Sequence, residues 1–332
     1  MMTRRALFAA ALAPAQMGEA VKPIEQAVAS GKLKAAVLRV THGDGVFEKA
    51  FGTAKGSSPF LIASITKPMT ATAVMTLVDA GKLALDAPAA KLLPGMDGRI
   101  TLRHLLTHSS GLPDMLPENT ELRQRHAPLP EWAGLAVKTP LLFAPGTRVS
   151  YQSMGILLAA TMAEKVAGKA MPQLLAERVY GPLGMGDTAL GLGRYKLADV
   201  VKSQTEHADP PGDTGWDWNS PWWRELGVPW GGAHSTAADI TKLLRYFLKP
   251  GKGPLRPATA QLMVTPQNAE YGLGWRLKPE PFGHGGSTGT LCWANAAKDV
   301  TFVLLTGLPA SESQKTVLDP ASRAVRKAFG LE

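Results

Sequence analysis

One short stretch constrains this chain more than any other. Pro59-Phe60-Leu61-Ile62-Ala63 runs into Ser64-Ile65-Thr66-Lys67-Pro68, and an apolar-spaced segment continues from Thr70 to Ala80. The five leading residues predict an extended apolar run, Ser64 predicts a helix opening, and Gly81 predicts its end. Pro68 is compatible because the first helical turn has no intrahelical partner for a missing N–H. Three residues of helix bring the chain almost full circle, so Ser64 and Lys67 share one face. A Ser hydroxyl is a weak nucleophile at neutral pH until a base takes its proton. A Lys amine is such a base once burial or nearby positive charge lowers its pKa. A Ser opening a helix also has unpaired backbone N–H groups beside it, which suit an oxyanion. Alone, the pair fits a helix cap followed by a solvated Lys better than it fits a catalytic pair.

Two further segments supply the other walls of a site. Tyr151-Gln152-Ser153 follows the turn-rich stretch 143–150 and precedes an apolar helix from Met154 to Val166, closed by Gly168. A Tyr on a loop at a helix start can face a cleft, and a phenol beside an ammonium can pass a proton. The third segment is Phe282-Gly283-His284-Gly285-Gly286-Ser287-Thr288-Gly289-Thr290, and apolar runs at 291–295 and 300–306 flank Lys298-Asp299. The runs predict an antiparallel hairpin, and glycines in a strand mark close approach by a ligand or another backbone.

Together these segments resemble the serine β-lactamase and penicillin-binding-protein-like superfamily, in particular its class C branch. Ser64-x-x-Lys67 matches the nucleophile motif, Tyr151-x-Ser153 resembles the Tyr-x-Asn motif, and His284-Gly285-Gly286 resembles the Lys-Thr-Gly strand motif in its His-x-Gly form. The stretches 101–113 (Thr101 to Pro113), 231–239 and Tyr271-Gly272-Leu273-Gly274-Trp275 match supporting hallmarks, and the resemblance runs from about residue 20 to the end. It implies an α/β (α+β) fold with an antiparallel sheet flanked by helices and a large, mostly helical insertion. It also implies catalytic Ser64, Lys67 and Tyr151, oxyanion donors at the backbone N–H groups of Ser64 and Ser287, and substrate contacts at His284, Gly286 and Ser153. Which of Lys67 and Tyr151 takes the first proton stays open.

Two departures bear on specificity. Ser153 stands where β-lactamases and peptidases of this kind have Asn, and His284 stands where they have Lys. The first change removes an amide for an acylamino side chain, and the second removes a cation for a carboxylate. Both favour an esterase-like hydrolase working through an acyl-enzyme. A class C-type β-lactamase, a D-Ala-D-Ala carboxypeptidase or a D-aminopeptidase is the alternative, and a non-catalytic envelope module that binds peptidoglycan-like ligands is an alternative of another class. A protonated His284 would partly replace the lost cation, so any β-lactamase activity is expected to rise as pH falls toward the usual His pKa of about 6.5.

Other motifs exclude more than they add. Gly285-x-Ser287-x-Gly289 fits a hydrolase nucleophile elbow, but that elbow needs a strand-to-helix turn and a His later in the chain. No His lies beyond His284, and an extended run follows Ser287. His104 and His108 sit four apart, but Leu105 stands where a zinc-site Glu would be, so no metal or other cofactor is expected. Asp86 reads as a turn or cap. The chain has 332 residues, 45% of them hydrophobic, with 34 Gly and 26 Pro, enough for a large core with many turns. The net charge of +9 comes from scattered Lys and Arg, so no nucleic-acid groove is predicted. The expected partner is a small ester, amide or peptide; oligomeric state is not legible.

The N-terminus carries Thr3-Arg4-Arg5, a short apolar run from Ala6 to Ala13, and Ala13-Pro14-Ala15 as a small-x-small site. This three-part pattern predicts an export signal over residues 1–15, with a twin-arginine look, and hence a periplasmic or secreted protein. The run is too short to span a membrane. The single Cys292 forms no internal disulfide and does not bear on export. The expected organisation is a helix from about Met17 to Ser30, strands at 35–41 and 46–51, and a sheet domain made of 16–60 and 226–332. Residues 61–225 form the mostly helical part, with the site between the two. A single closing helix is expected from Ser313 to Phe329. The stretch from Trp216 to Trp230 holds five of the eight Trp residues and reads as a loop packed on the helical part or lining the cleft.

Overall fold

The computed structural model describes residues 14–205, 214–279 and 281–332, with side chains from residue 17 onward. The predicted export signal falls almost wholly outside this range. Among the described residues, no helix is long and apolar enough to cross a membrane.

Five antiparallel strands form the main sheet: β1 Ala35–His42, β2 Gly45–Gly52, β6 Phe282–Gly286, β7 Thr290–Asn295 and β8 Val300–Thr306, in the order β2-β1-β8-β7-β6. The first and last parts of the chain thus share one sheet, with Val40 opposite Phe302 and Trp293 opposite Phe302 across the next pair. Every residue of β8 is buried, as expected of a central strand covered on both faces. One face carries Leu38, Val40, Phe302 and Leu304, which pack with Met17 and Ile24 of helix α1 (Pro14–Ala29) and with Ala321 and Val325 of the Asp319–Ala328 helix. Trp293 and Phe302 stack there at 5.3 Å and 10°. The other face carries Val37, Val303, Leu305 and Cys292, packed with Leu243, Leu244 and Phe247 of the Ala237–Leu248 helix.

Between β2 and β6 the regular structure is mainly helical, with helix α2 Thr66–Asp79 packed against the Ser153–Ala167 helix. Both are buried over most of their length, and Gly168 closes the second in the left-handed region at φ +64°. A second, three-stranded sheet sits at the junction. It pairs β3 (Phe60–Leu61) with β5 (Ala233–Ser235), which also pairs with β4 (Ala189–Leu190).

The antiparallel sheet with its flanking helices and helical insertion matches the expected fold class, and three local expectations need correction. Ser64 does not open the α-helix. It is the middle residue of a 3₁₀ turn, Ala63–Ile65, and α2 begins at Thr66. The closing helix begins earlier than expected and is not uniform: it runs unbroken from 310 to 328, but Gln314–Leu318 within it is π-helical, and Pro320 lies just after that segment. The Trp-rich stretch contains a short helix, Pro221–Leu226, where Ser220 caps the Trp223 N–H and Pro221 occupies the first turn.

The end of β6 lies directly on the chain that leads into the 3₁₀ turn. Thr288 Oγ1 donates to Leu61 O at 2.6 Å and Thr290 Oγ1 to Ile62 O at 3.0 Å. A Cβ on Gly286 would stand 2.5 Å from Ile62 O and 2.2 Å from Thr290 Oγ1, so only Gly permits this approach. Gly286→Ala is expected to lower stability in urea unfolding by about 1–3 kcal/mol, the range for overpacking a tight contact; an unchanged midpoint would show that the strand is not held this closely.

Candidate active site

The turn bearing Ser64 is fixed from three sides. Ile62 N–H donates to Ala233 O at 3.0 Å, and Ala233 N–H donates to Thr66 Oγ1 at 3.1 Å. Ala63 sits at φ +44°, a region unfavourable for a residue with a side chain, immediately before Ser64. The β6–β7 turn then closes on Ile62 and Ala63 through the contacts above.

Lys67 lies one turn along, with no accessible surface. Its Nζ donates to Ser64 Oγ at 2.9 Å and to the Trp230 carbonyl at 3.0 Å, and stands 4.7 Å from the centre of the Tyr151 ring. None of these groups is anionic. Burial therefore lowers the Lys67 pKa from 10.5 to about 7, against a smaller opposing pull from the Asp114 carboxylate. At neutral pH the amine is substantially unprotonated and can accept a proton across the 2.9 Å contact. Tyr151 behaves oppositely. Burial pushes its phenol above its ordinary value, and interaction with the Ser64 side chain only partly offsets this. The phenol stays protonated near neutrality and can donate.

His284 projects from β6 toward the same site, its ring 6.1 Å from that of Tyr151. Its Nδ1 lies 2.7 Å from Gly285 O, which places a proton on Nδ1 and leaves Nε2 as an acceptor. Burial, followed by the nearby Lys67, lowers its pKa to about 3. The expected acid-side rescue of carboxylate binding is thus corrected: the imidazole is neutral near pH 6 and supplies no cation. Ser153 is the first residue of the Ser153–Ala167 helix, buried beside Tyr151. Its backbone N–H donates to Asp114 Oδ1 at 2.8 Å.

Ser287 occupies the turn between β6 and β7 and is exposed. The chain runs strand, turn, strand, which excludes a strand-to-helix nucleophile elbow. Gly283 exchanges hydrogen bonds with Arg276 on the side of β6 away from β7. Ser287 directly follows Gly286, the residue that packs against Ile62 O. The structure therefore brings Ser64, Lys67, Tyr151 and His284 together, with Ser153 and the Gly286–Ser287 turn at their margin.

Sequence reading missed three participants. Trp230 enters through its carbonyl, while its buried ring packs on Trp132 at 5.7 Å. Asp114 anchors the helix behind Tyr151 through backbone N–H groups. His108 is buried against Tyr151, with ring centres 4.7 Å apart. Backbone partners leave no residue signature, but the stretch 101–113 that carries the family resemblance did flag this region. His104 serves a different purpose: it forms a reciprocal cap with Thr101. Asp86 pairs with Arg103 at 2.7 Å. Among the described residues no group of three or more His, Cys, Asp or Glu side chains could hold a metal ion.

Comparison with known proteins gives the chain's family and fold. The family model described as Beta-lactamase matches residues 21–326. Esterase EstB of Burkholderia gladioli is 32% identical over 191 residues, covering 49% of this chain and 48% of its own length, so the match spans about half of that relative. A putative D-alanyl-D-alanine carboxypeptidase of Escherichia coli K12 is 26% identical over 87% of this chain and 81% of its own. Among solved structures, EstCE1, a hydrolase with promiscuous acyltransferase activity, superposes with a TM-score of 0.77 at 20% identity, covering 95% of this chain and 98% of the other. The D-amino acid amidase from Ochrobactrum anthropi SV3 gives 0.78 at 20% identity, covering 95% and 99%. At that identity the superpositions show a shared fold. With the family model spanning nearly the whole sequence, the chain belongs to the beta-lactamase family of serine hydrolases.

Proposed function

We propose that this chain is an esterase-like serine hydrolase that cleaves small esters through an acyl-enzyme on Ser64. The observation that carries the reading is the 2.9 Å contact between Ser64 Oγ and a fully buried Lys67 whose pKa is brought to about 7. A non-catalytic module has no use for an amine held unprotonated against a hydroxyl, which favours catalysis over ligand binding alone.

The geometry supports the following sequence of roles. Neutral Lys67 takes the Ser64 proton as Oγ bonds to the acyl carbon. The negative charge on the former carbonyl oxygen is held by the N–H groups of Ser64 and Ser287, kept in register by Gly286 against Ile62. The tetrahedral species collapses, and Tyr151 protonates the departing alkoxide, since its raised pKa keeps the phenol proton available. Lys67 returns its proton to Tyr151, and water then hydrolyses the acyl-enzyme with the same pair acting again. The opposite directions of the two pKa shifts favour Lys67 over Tyr151 as the first base.

Substrate preference follows from charge. A neutral His284 supplies no cation to a β-lactam or peptide carboxylate, and losing such a charge-assisted bond costs about 1.5–3 kcal/mol. Neutral esters lose nothing. The names of the two relatives, an esterase and a putative carboxypeptidase, leave room for both bond types, and the neutral imidazole favours the ester. We also propose export on the three-part N-terminal pattern; N-terminal sequencing of the protein recovered from a periplasmic fraction should begin near residue 16, and an intact residue 1 would reject it.

Short-chain p-nitrophenyl esters are expected to show a higher kcat/KM than cephalosporins, and a plate assay decides it; the reverse order would make the enzyme a β-lactamase proper. The kcat/KM for esters should rise through about pH 7 as Lys67 loses its proton, with no gain on the acid side, whereas a profile flat across pH 6–8 would remove Lys67 as the base. Fluorophosphonate treatment followed by intact-mass analysis should give one adduct, absent in Ser64→Ala. Burying a Lys that is protonated when unfolded opposes folding. Unfolded chains bind more protons than folded ones between about pH 7 and 10.5, so wild-type stability should rise with pH across that window. Lys67→Met is therefore expected to abolish turnover yet raise Tm at pH 7, with the gain shrinking toward pH 10; a lower Tm at every pH would contradict the desolvation account.

A further inference from the structure

The stretch from His108 to Asp114 runs beside the Tyr151 segment and bonds to it on both sides of the phenol. Ser150 N–H donates to His108 O at 2.9 Å, and Gln152 N–H donates to His108 Nδ1 at 3.1 Å. Ser153 and Met154 N–H groups donate to Asp114 O at 3.1 and 3.3 Å. The Gln152 carboxamide, oriented to satisfy its surroundings, accepts from the N–H groups of Ser109 and Ser110 at 3.2 Å and donates to Leu112 O at 3.2 Å. The residues flanking Tyr151 are thereby fixed one after another, while the Tyr151 side chain is left to the active site.

His108 is the centre of this clasp, and its own state is costly. It has no accessible surface and sits at φ +58°, in the left-handed region. Nδ1 accepts a backbone proton, so the ring proton resides on Nε2, and Nε2 has no partner among the described residues. Burial and then Lys67 hold its pKa well below the usual His value, so the ring is neutral. The ring lies 4.7 Å from that of Tyr151 and meets Tyr271 edge-on at 4.5 Å. A strained backbone and an unpaired buried donor persist where the surroundings over-determine a conformation, and such residues cluster at functional sites. A residue that only filled space here would be apolar.

We propose that His108 is a positioning residue of the reaction, acting through Tyr151: its Nδ1 fixes the Gln152 N–H and its ring fixes the phenol plane, so that the phenol meets the leaving group in line. The inference rests on the proton-donor role given to Tyr151 above. The His104 side chain, four residues earlier, caps with Thr101 instead and serves as the internal control.

The test is a double-substitution cycle read as turnover per site titrated with fluorophosphonate, which discounts misfolded protein. His108→Ala should lower kcat by roughly 10–100-fold, the scale of a misplaced catalytic group, and change KM by less than about threefold. His108→Asn should recover most of that loss, because its amide oxygen can replace Nδ1 as acceptor and Asn tolerates the left-handed region. In a Tyr151→Phe background, His108→Ala should cost no more than about twofold, since the two act as one unit. His104→Ala should leave kcat unchanged. The proposal is overturned by wild-type kcat in His108→Ala, or by an equal loss in both backgrounds with Tyr151→Phe itself crippled. Full turnover in Tyr151→Phe alone overturns the donor role of Tyr151 and, with it, this inference.

Discussion

A lysine sealed from water lowers its free energy either by finding an anion or by giving up its proton. Lys67 has no carboxylate within contact; its partners are the Ser64 hydroxyl and the Trp230 carbonyl, with the Tyr151 ring alongside. The second course is the one open to it, and the proposed chemistry depends on that. Were the amine solvated, its pKa would return toward 10.5 and little of it would be unprotonated at pH 7. The desolvation is supplied by the fold as a whole. Helix α2 is buried along most of its length, the Trp230 carbonyl covers Nζ, and the Ser153–Ala167 helix packs across α2. A catalytic base is obtained here at the expense of stability.

The architecture serves to hold three distant parts of the chain around that amine. The residues just before Ser64 are gripped by β5 on one side and by the β6–β7 turn on the other. Each grip uses backbone carbonyls or N–H groups of residues 60–62, so the path of the chain, rather than its side chains, is what is fixed. The Tyr151 segment is held by a third part, 108–114, again mainly through backbone groups. Since each part comes from a different stretch of sequence, the site exists only when the main sheet and the helical part are both folded. The glycines of β6 fit the same scheme: Gly286 lets the strand touch Ile62 and Ala63, and Gly283 packs where a Cβ would stand 2.8 Å from the Trp293 side chain.

Much of this was legible because chemistry concentrates in short motifs. The Ser64-to-Lys67 spacing, the strand with His284 and its glycines, and the hairpin at 290–306 each carry a local physical signature, and the structure places them as read. Burial was less legible. The sequence allows His284 to titrate near its ordinary pKa; only the structure shows the ring enclosed beside Lys67, which keeps it neutral. Helix boundaries also escaped. Ser64 looks like a helix cap, yet its hydroxyl bonds to Lys67 and leaves the 3₁₀ turn to be fixed by tertiary contacts. The π-helical turn at Gln314–Leu318 has no punctuating Gly or Pro within it, so periodicity could not find it. His108 and Asp114 work through backbone N–H groups of residues some forty positions away, a pairing that residue types do not reveal.

The central claim is that Lys67 is an unprotonated amine at working pH because it is buried without an anion. Protein labelled with ¹³C at lysine Cε reports each ammonium's titration by its chemical shift, and Lys67→Met identifies the Lys67 signal by its loss. The account predicts one lysine resonance titrating near pH 7, apart from the rest near 10.5, and missing from the variant. A Lys67 resonance that titrates with the others near 10.5 would contradict it.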